Sequence, residues 1–301
     1  MFDRLILAED LVDCRGTLLG KRGLVVSPQA IAEAARRAPP APLRSLGETR
    51  LAADVALPLE ASVYRHLFGR AGAREAVERA LLAVRLPEVL FEELLEARRE
   101  RPAQHQHAFA TAAVVLRLLL AAVGETRAMP ELAAAALLHD IGMRQLPPRL
   151  LFYRERLPVE EAHRIAAHPL LGAYHLACVL GSHPAVNAAK SHHWRCGQGY
   201  PGLSAPPARA IEVLAVASAF TALTQPRPFR SSAFDPRGAA DVLVEEAATG
   251  HADGSSVKLL VHALRGGEGD LRSVQFGVLR EGHAPEVNHH TPVEAPPRSR
   301  V

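Results

Sequence analysis

Two adjacent histidines, His192 and His193, open a stretch that reads H-H-W-R-C-G-Q-G-Y-P and ends at Pro201. Neighbouring residues on a helix point about 100° apart. Both imidazoles can therefore serve one metal cluster only where it sits against a helix end and other ligands arrive from elsewhere. Such ligands lie upstream: His139-Asp140 in A-L-L-H-D-I-G-M, His168 before Pro169, and His107 at the opening of an apolar helix. An aspartate can bridge two ions through its two oxygens, while neutral imidazoles fill the remaining positions without adding charge. Two ions held in this way activate a shared water and neutralise the phosphate oxygens it attacks. The chemistry these residues suit is metal-assisted hydrolysis of a phosphoester. His105, His163, His175 and His183 read as exposed or capping side chains, and His289-His290 fall in a polar tail.

In order and separation these residues resemble the HD-GYP family, a branch of the HD-domain metal phosphohydrolases whose usual substrate is the bacterial second messenger cyclic di-GMP. The resemblance covers roughly residues 104–264. It implies that His107, His139 and Asp140 hold one divalent ion and that Asp140, His168, His192 and His193 hold a second, with Asp140 as the catalytic bridging carboxylate. Fe, Mn, Zn or Ni would each satisfy such a set. It further implies that Gly199, Tyr200 and Pro201 form a loop beside the substrate, and a contact surface for a diguanylate cyclase or another signalling protein.

The chain departs from the family pattern at positions that bear on rate. Met143 stands where the family's H-D-I-G-K places a lysine toward the substrate phosphate, so Arg144 or Arg195 is expected to supply that charge. Ser218 in A-S-A-F-T-A-L replaces a metal-ligating aspartate, and Trp194 follows the paired histidines in place of glutamate. The loop before Gly197 is one residue short, and Ala103 replaces a glutamate found in some members. The expected site therefore holds one ion firmly and the other weakly. Three readings stay open: a slow cyclic di-GMP phosphodiesterase, an inactive signalling or protein-interaction module, and a phosphohydrolase of another nucleotide or phosphoester.

The elements that must position these residues are helical, so the expected fold class is mainly α, an HD-type helical bundle after a small β-containing module. Apolar periodicity or capping marks helices over 104–123, from Pro130 to the His139 dyad, 158–167, 184–193, 207–224, 237–249 and 255–264. On the helix of 207–224, Ile211, Leu214, Ala215, Ser218 and Ala222 share one face, which is expected to point inward. Before them, Thr17–Leu19 and Leu24–Val26 flank G-K-R-G as a hairpin, Ser27 caps a helix with Pro28 at its first position, and Asp54–Leu57 reads as strand-like. The string L-x-x-D-L-V-D-x-R-G-x-L-L-x-K-R-G looks like the small module that often precedes an HD-GYP domain. The expected organisation is a module over 1–60, a helical connector over 61–103, the helical domain over 104–265, and a largely disordered extension over 266–301 containing one strand, Ser273–Leu279.

Composition narrows the partners. With 48% hydrophobic and 22% charged residues among 301, the chain reads as globular and able to bury a sizeable core. Net charge is +3, and the arginines are scattered without a basic block, which argues against nucleic acid. Three cysteines without framework spacing point to a reduced, cytoplasmic setting. No secretory signal and no membrane span is expected, because the longest apolar run, 112–124, is short and interrupted by Arg117.

Overall fold

The computed structural model describes residues 4–203, 205–267 and 269–290. The N-terminal module carries four short strands, β1 (Leu5–Ile6), β2 (Leu11–Val12), β3 (Leu18–Gly20) and β4 (Val25–Val26). The segments expected to pair with each other do not. β3 pairs with β2, and β4 pairs with β1. The reason is Asp13, whose Oδ1 accepts from the backbone N of Arg15 and of Thr17 at 2.8 Å each and so folds the chain back between β2 and β3. Ser27 caps α1 (Pro28–Arg37) as expected, accepting from Ala30 N at 3.2 Å.

The next stretch is more helical than the sequence suggested. After β5 (Leu43–Ser45), the Asp54–Leu57 segment is a 3-10 turn running into α2 (Ala56–Glu60), not a strand. Asp54 turns inward there and holds His105 Nε2 at 3.0 Å and Arg98 at 3.3 Å. α3 (Arg65–Phe68) and α4 (Ala71–Leu82) follow, then β6 (Arg85–Pro87), which pairs with β5 and interrupts the expected helical connector, and α5 (Glu88–Glu100).

The main body is helical, as expected for the class. α6 (Pro102–Val123) runs through its centre, buried without a break from His107 to Leu118. It is the one helix among the described residues long and apolar enough to cross a membrane, and 67% of its apolar window is buried inside the protein. Around it stand α7 (Met129–Leu137), α8 (Val159–Ile165), α9 (His168–Leu180), α10 (Pro184–Ser191), α11 (Arg209–Thr224), α12 (Pro236–Ala248) and α13 (Gly254–Leu264). Sequence periodicity missed α9, which is buried from His168 to Ala177 and so shows no polar face to mark it. His168-Pro169 does not merely end a helix: it starts α9, with the proline in the first turn, where its missing N–H costs nothing. On α11 the buried residues are Val213, Leu214, Val216, Ala217, Ser218, Phe220, Thr221 and Thr224, so of the expected inward set only Leu214 and Ser218 are buried, and Ile211, Ala215 and Ala222 lie at the edge.

The C-terminal extension also departs from expectation. Ser273–Leu279 forms no strand, because its backbone is held by side chains of neighbouring helices: Arg265 donates to Gln275 O and Asp241 accepts from Leu279 N. The tail is tied along the 229–235 loop through Ser231 N to Val287 O and His289 N to Phe229 O, both at 3.0 Å. The final stretch, 291–301, lies outside the described residues.

Candidate metal centre

Three helix ends and two helix interiors meet at the centre of the body. His107 comes from α6, His139 and Asp140 follow the last residue of α7, His168 begins α9, and His192-His193 follow α10. Ser218 comes from α11. Asp140 leads into a 3-10 turn, Ile141–Gln145, that lies directly on α9. This approach requires glycine: a Cβ on Gly142 would sit 2.0 Å from His168 O.

The structure brings all six histidine and aspartate candidates together. Asp140 Oδ1 lies 3.1 Å from His168 Nε2 and 3.1 Å from His192 Nε2. Its Oδ2 lies 3.7 Å from both His107 Nε2 and His139 Nε2. His193 Nε2 is 3.2 Å from His168 Nε2. Donor atoms of Asp140, His168, His192 and His193 fall within 4.8 Å of one another, as do those of His107, His139 and Asp140.

Proton positions follow from the far side of each ring. His139 Nδ1 meets Ala136 O at 2.7 Å, His168 Nδ1 meets Ile165 O at 2.6 Å, and His192 Nδ1 meets Ala189 O at 2.9 Å. A carbonyl only accepts, so each Nδ1 carries the proton and each Nε2 presents a lone pair. The His168 and His192 lone pairs then face each other at 3.1 Å, with the Asp140 carboxylate opposite both. Three acceptors with no proton among them repel unless a cation lies between them. Metal–nitrogen bonds of about 2.0–2.1 Å set neighbouring ligands about 3 Å apart, so the spacing fits a shared divalent ion.

The local field favours the neutral ring at His107, His139 and His193. Burial holds His107 well below the usual imidazole range, helped by the positive charge of Arg227. Burial likewise brings His139 down to about 4 against the opposing pull of Asp140, and it lowers His193 together with the neighbouring His192 and His168. For Asp140, burial works upward, but the pull of His139 and the close approach of His168 and His192 prevail and hold the carboxyl well below its ordinary value. Neutral imidazoles around an ionised carboxylate are the state a divalent metal needs.

The loop after α10 closes over this cluster. Tyr200 stacks on His193 with ring centroids 4.4 Å apart and 20° between planes, and it meets His168 edge-on at 6.3 Å. Burial, then the charge of Asp140, keeps its phenol protonated. Gly199 is required here, since a Cβ would lie 1.7 Å from His193 O, and Pro201 is buried behind it. Trp194 N bonds Ser191 O at 2.9 Å and finishes the turn that carries both histidines.

The remaining site candidates divide. Ser218 is buried at the cluster, its Oγ 3.3 Å from His107 Nε2 and 3.3 Å from His139 Nε2. Met143 packs against the core, and its carbonyl accepts from Arg101 Nη1 at 2.8 Å. Arg144 is not free to meet a phosphate: its Nε binds Glu96 at 2.7 Å and its Nη1 binds Val12 O at 3.0 Å, which docks the N-terminal module instead. Arg195 pairs with Glu246 at 3.0 Å, though its charge still acts on His193 and Tyr200. The cation that sequence reasoning missed is Arg227, just beyond α11. Its guanidinium makes no hydrogen bond to a described residue, and it sits within electrostatic reach of Asp140, His107 and Tyr64. Its one sequence signal was an arginine flanked by prolines directly after the helix that carries Ser218.

Two histidines read as exposed or capping are buried structural groups. His105 bonds Leu94 O at 3.1 Å and Asp54 at 3.0 Å, and His175 lies 3.1 Å from Glu93 with both side chains 1% exposed. His183 does cap α10, accepting from Ala185 N. Thr221, unnoticed in the sequence, meets His107 Nδ1 at 3.2 Å and is steadied by Thr111 at 2.8 Å.

Comparison with known proteins bears on the same region. Over 102 residues, 32% of this chain, the sequence is 37% identical to 3'3'-cGAMP-specific phosphodiesterase 1 of Vibrio cholerae serotype O1. The chain covers 23% of the length of that relative. The HD domain family matches residues 89–256, over half of the chain and all of the ligand cluster described above. On that match the chain belongs to the HD domain family.

Proposed function

We propose that this protein is a metal-dependent phosphodiesterase of HD-GYP type that opens a cyclic dinucleotide, cyclic di-GMP in the first instance, at a reduced rate. The observation that carries the reading is the pair of facing Nε2 lone pairs on His168 and His192, set against an ionised Asp140 and extended by His107, His139 and His193. A divalent metal held there makes water nucleophilic near neutral pH and neutralises phosphate charge.

The chain's own residues do the rest. Asp140 offers one oxygen to each half of the cluster, so it orients both halves at once. Carbonyls behind His139, His168 and His192 fix the ring tautomers and aim each Nε2 inward. Tyr200, neutral and stacked on His193, holds that ring and presents a flat face beside the site. Arg227 supplies positive charge toward a phosphate, a role that Met143 cannot fill and Arg144 is not free to take. With Ser218 in place of a carboxylate, the half of the cluster formed by His107, His139 and Asp140 holds its ion less firmly, which is the basis for the reduced rate.

Ser218 and Met143 together favour one second reading: a module that keeps the fold and one ion and acts through the Gly199–Pro201 loop on a signalling partner such as a diguanylate cyclase. A metal count on purified protein, with turnover of cyclic di-GMP and of 3'3'-cGAMP measured side by side, separates the two. At least one tightly held ion and metal-dependent release of a linear dinucleotide support the enzyme. A bound ion with no turnover of either substrate leaves the module.

A further inference from the structure

Away from the ligand cluster, between α1, α7, α10, the start of α11 and the loop residues 201–203 and 205–208, lies a cavity of about 940 Å³. Its walls are mostly apolar, formed by side chains such as Ile31, Leu132, Leu170, Val186 and Ile211, with Ser182, His183, Asn187, Lys190 and Ser191 as the polar ones. Among its described lining residues Lys190 is the only lysine, arginine, aspartate or glutamate. The Lys190 side chain is half-buried, and its ammonium makes no hydrogen bond or ion pair with any described residue. Asn187, one turn earlier on α10, lines the same wall.

An ammonium partly withdrawn from water, with no carboxylate to meet it, carries an uncompensated desolvation cost. A ligand that supplies one negative group removes that cost, and apolar walls of this extent favour an apolar body on the same ligand. The size falls within the range of small-molecule sites, which are mostly apolar with a few placed polar groups. We propose that this cavity binds an amphipathic organic anion, with its acidic head on Lys190 and Asn187 and its apolar body along Ile31, Leu132 and Ile211. A cyclic dinucleotide fits it poorly, since its second phosphate would meet no second lysine or arginine among the described lining residues. The site is therefore distinct from the one that faces Asp140.

The cavity also touches the ligand cluster through the chain. Lys190 lies two residues before His192, and the wall residue Pro201 directly follows Tyr200, which stacks on His193. An occupant bears on the helix end that delivers both histidines and on the loop that covers them.

Calorimetric titration of the full chain tests this with three probes: dodecanoate below its micelle concentration, dodecanol, and inorganic phosphate. The expected result is one dodecanoate per chain, with weaker binding of the alcohol and none of phosphate. Lys190→Met should weaken dodecanoate by about tenfold or more, Lys190→Arg should retain it, and Ile211→Trp, which fills the cavity, should abolish it. Thermal melts establish that each variant is folded. Failure of dodecanoate to bind the parent, equal binding by folded Lys190→Met, or binding of phosphate as strong as that of dodecanoate overturns the proposal.

Discussion

Replacing Ser218 by aspartate tests the metal reading at the position where this chain departs most from a complete site. Ser218 is 8% exposed, and its Oγ is equidistant, at 3.3 Å, from His107 Nε2 and His139 Nε2. A carboxylate reaches one bond further, about 1.2 Å, which carries an oxygen into the space bounded by those two nitrogens and Asp140. The two states of the protein should respond in opposite directions. Without metal, a second buried carboxylate faces neutral imidazoles and an existing anion, and a lone buried charge of this kind costs about 3–5 kcal/mol. With metal, it becomes a direct ligand, and since loss of even an outer hydrogen-bond partner costs about 10- to 100-fold in affinity, regaining a ligand should tighten the weaker ion by at least that. On the scale of about 1.4 kcal/mol per tenfold, this corresponds to about 1.4–2.8 kcal/mol at fixed metal concentration. Elemental analysis after dialysis against buffered metal should show the count rising toward two per chain. Melting of Ser218→Asp should fall below the parent in chelator, on the order of 10 °C, and should gain more than the parent does when metal is added. A variant that melts like the parent in chelator and holds no additional metal would refute the geometry. Turnover then follows as a separate question, with a gain of about tenfold or more expected if the weaker ion limits the rate.

Three other outcomes follow from the same structure. Gly142→Ala should reduce metal content and lower stability by more than about 2 kcal/mol, because its Cβ would lie 2.0 Å from His168 O and 2.6 Å from Gly172 N and would force Asp140 away from α9; an unchanged metal count would show that the turn has room to shift. Arg227→Ala should weaken cyclic dinucleotide binding about tenfold, whereas Arg144→Ala should leave binding unchanged and lower the melting temperature, since its partners are Glu96 and Val12 O; the reverse pattern in a binding assay would return the phosphate role to Arg144. Metal-free protein should lose stability on acidification between pH about 6.5 and about 4, measured by denaturant titration at stepped pH. His139 is neutral when folded, with its pKa down at about 4, and binds a proton near 6.5 when unfolded. The unfolded chain thus takes up more protons in that window, so stability is complete above it and falls by about 3 kcal/mol across it for this residue alone. A flat profile would contradict the burial of the cluster.

What the sequence by itself determined was the helical class and which residue types carry the chemistry. Helices with a polar face or a clear cap, such as α1 behind Ser27-Pro28, were legible because capping and amphipathic spacing are local properties. α9 was not legible, because a helix buried on nearly all sides has no periodic contrast to read. Strand pairing was not legible either: the turn chemistry of Asp13 outcompeted the Gly-flanked hairpin, and choosing between two plausible turns requires the partner strands. The direction of each arginine was decided only by the tertiary structure. Arg144 is adjacent in sequence to the H-D-I-G motif yet is drawn away by Glu96, 48 positions earlier, while Arg227 comes near Asp140 from 87 positions later. A side chain's charge is written in the sequence, but its counter-ion is set by the packing of elements distant along the chain. The same holds for the histidines: His105 and His175 were indistinguishable by type from the ligand set, and only burial beside Asp54 and Glu93 separates them from the rings whose lone pairs converge on Asp140.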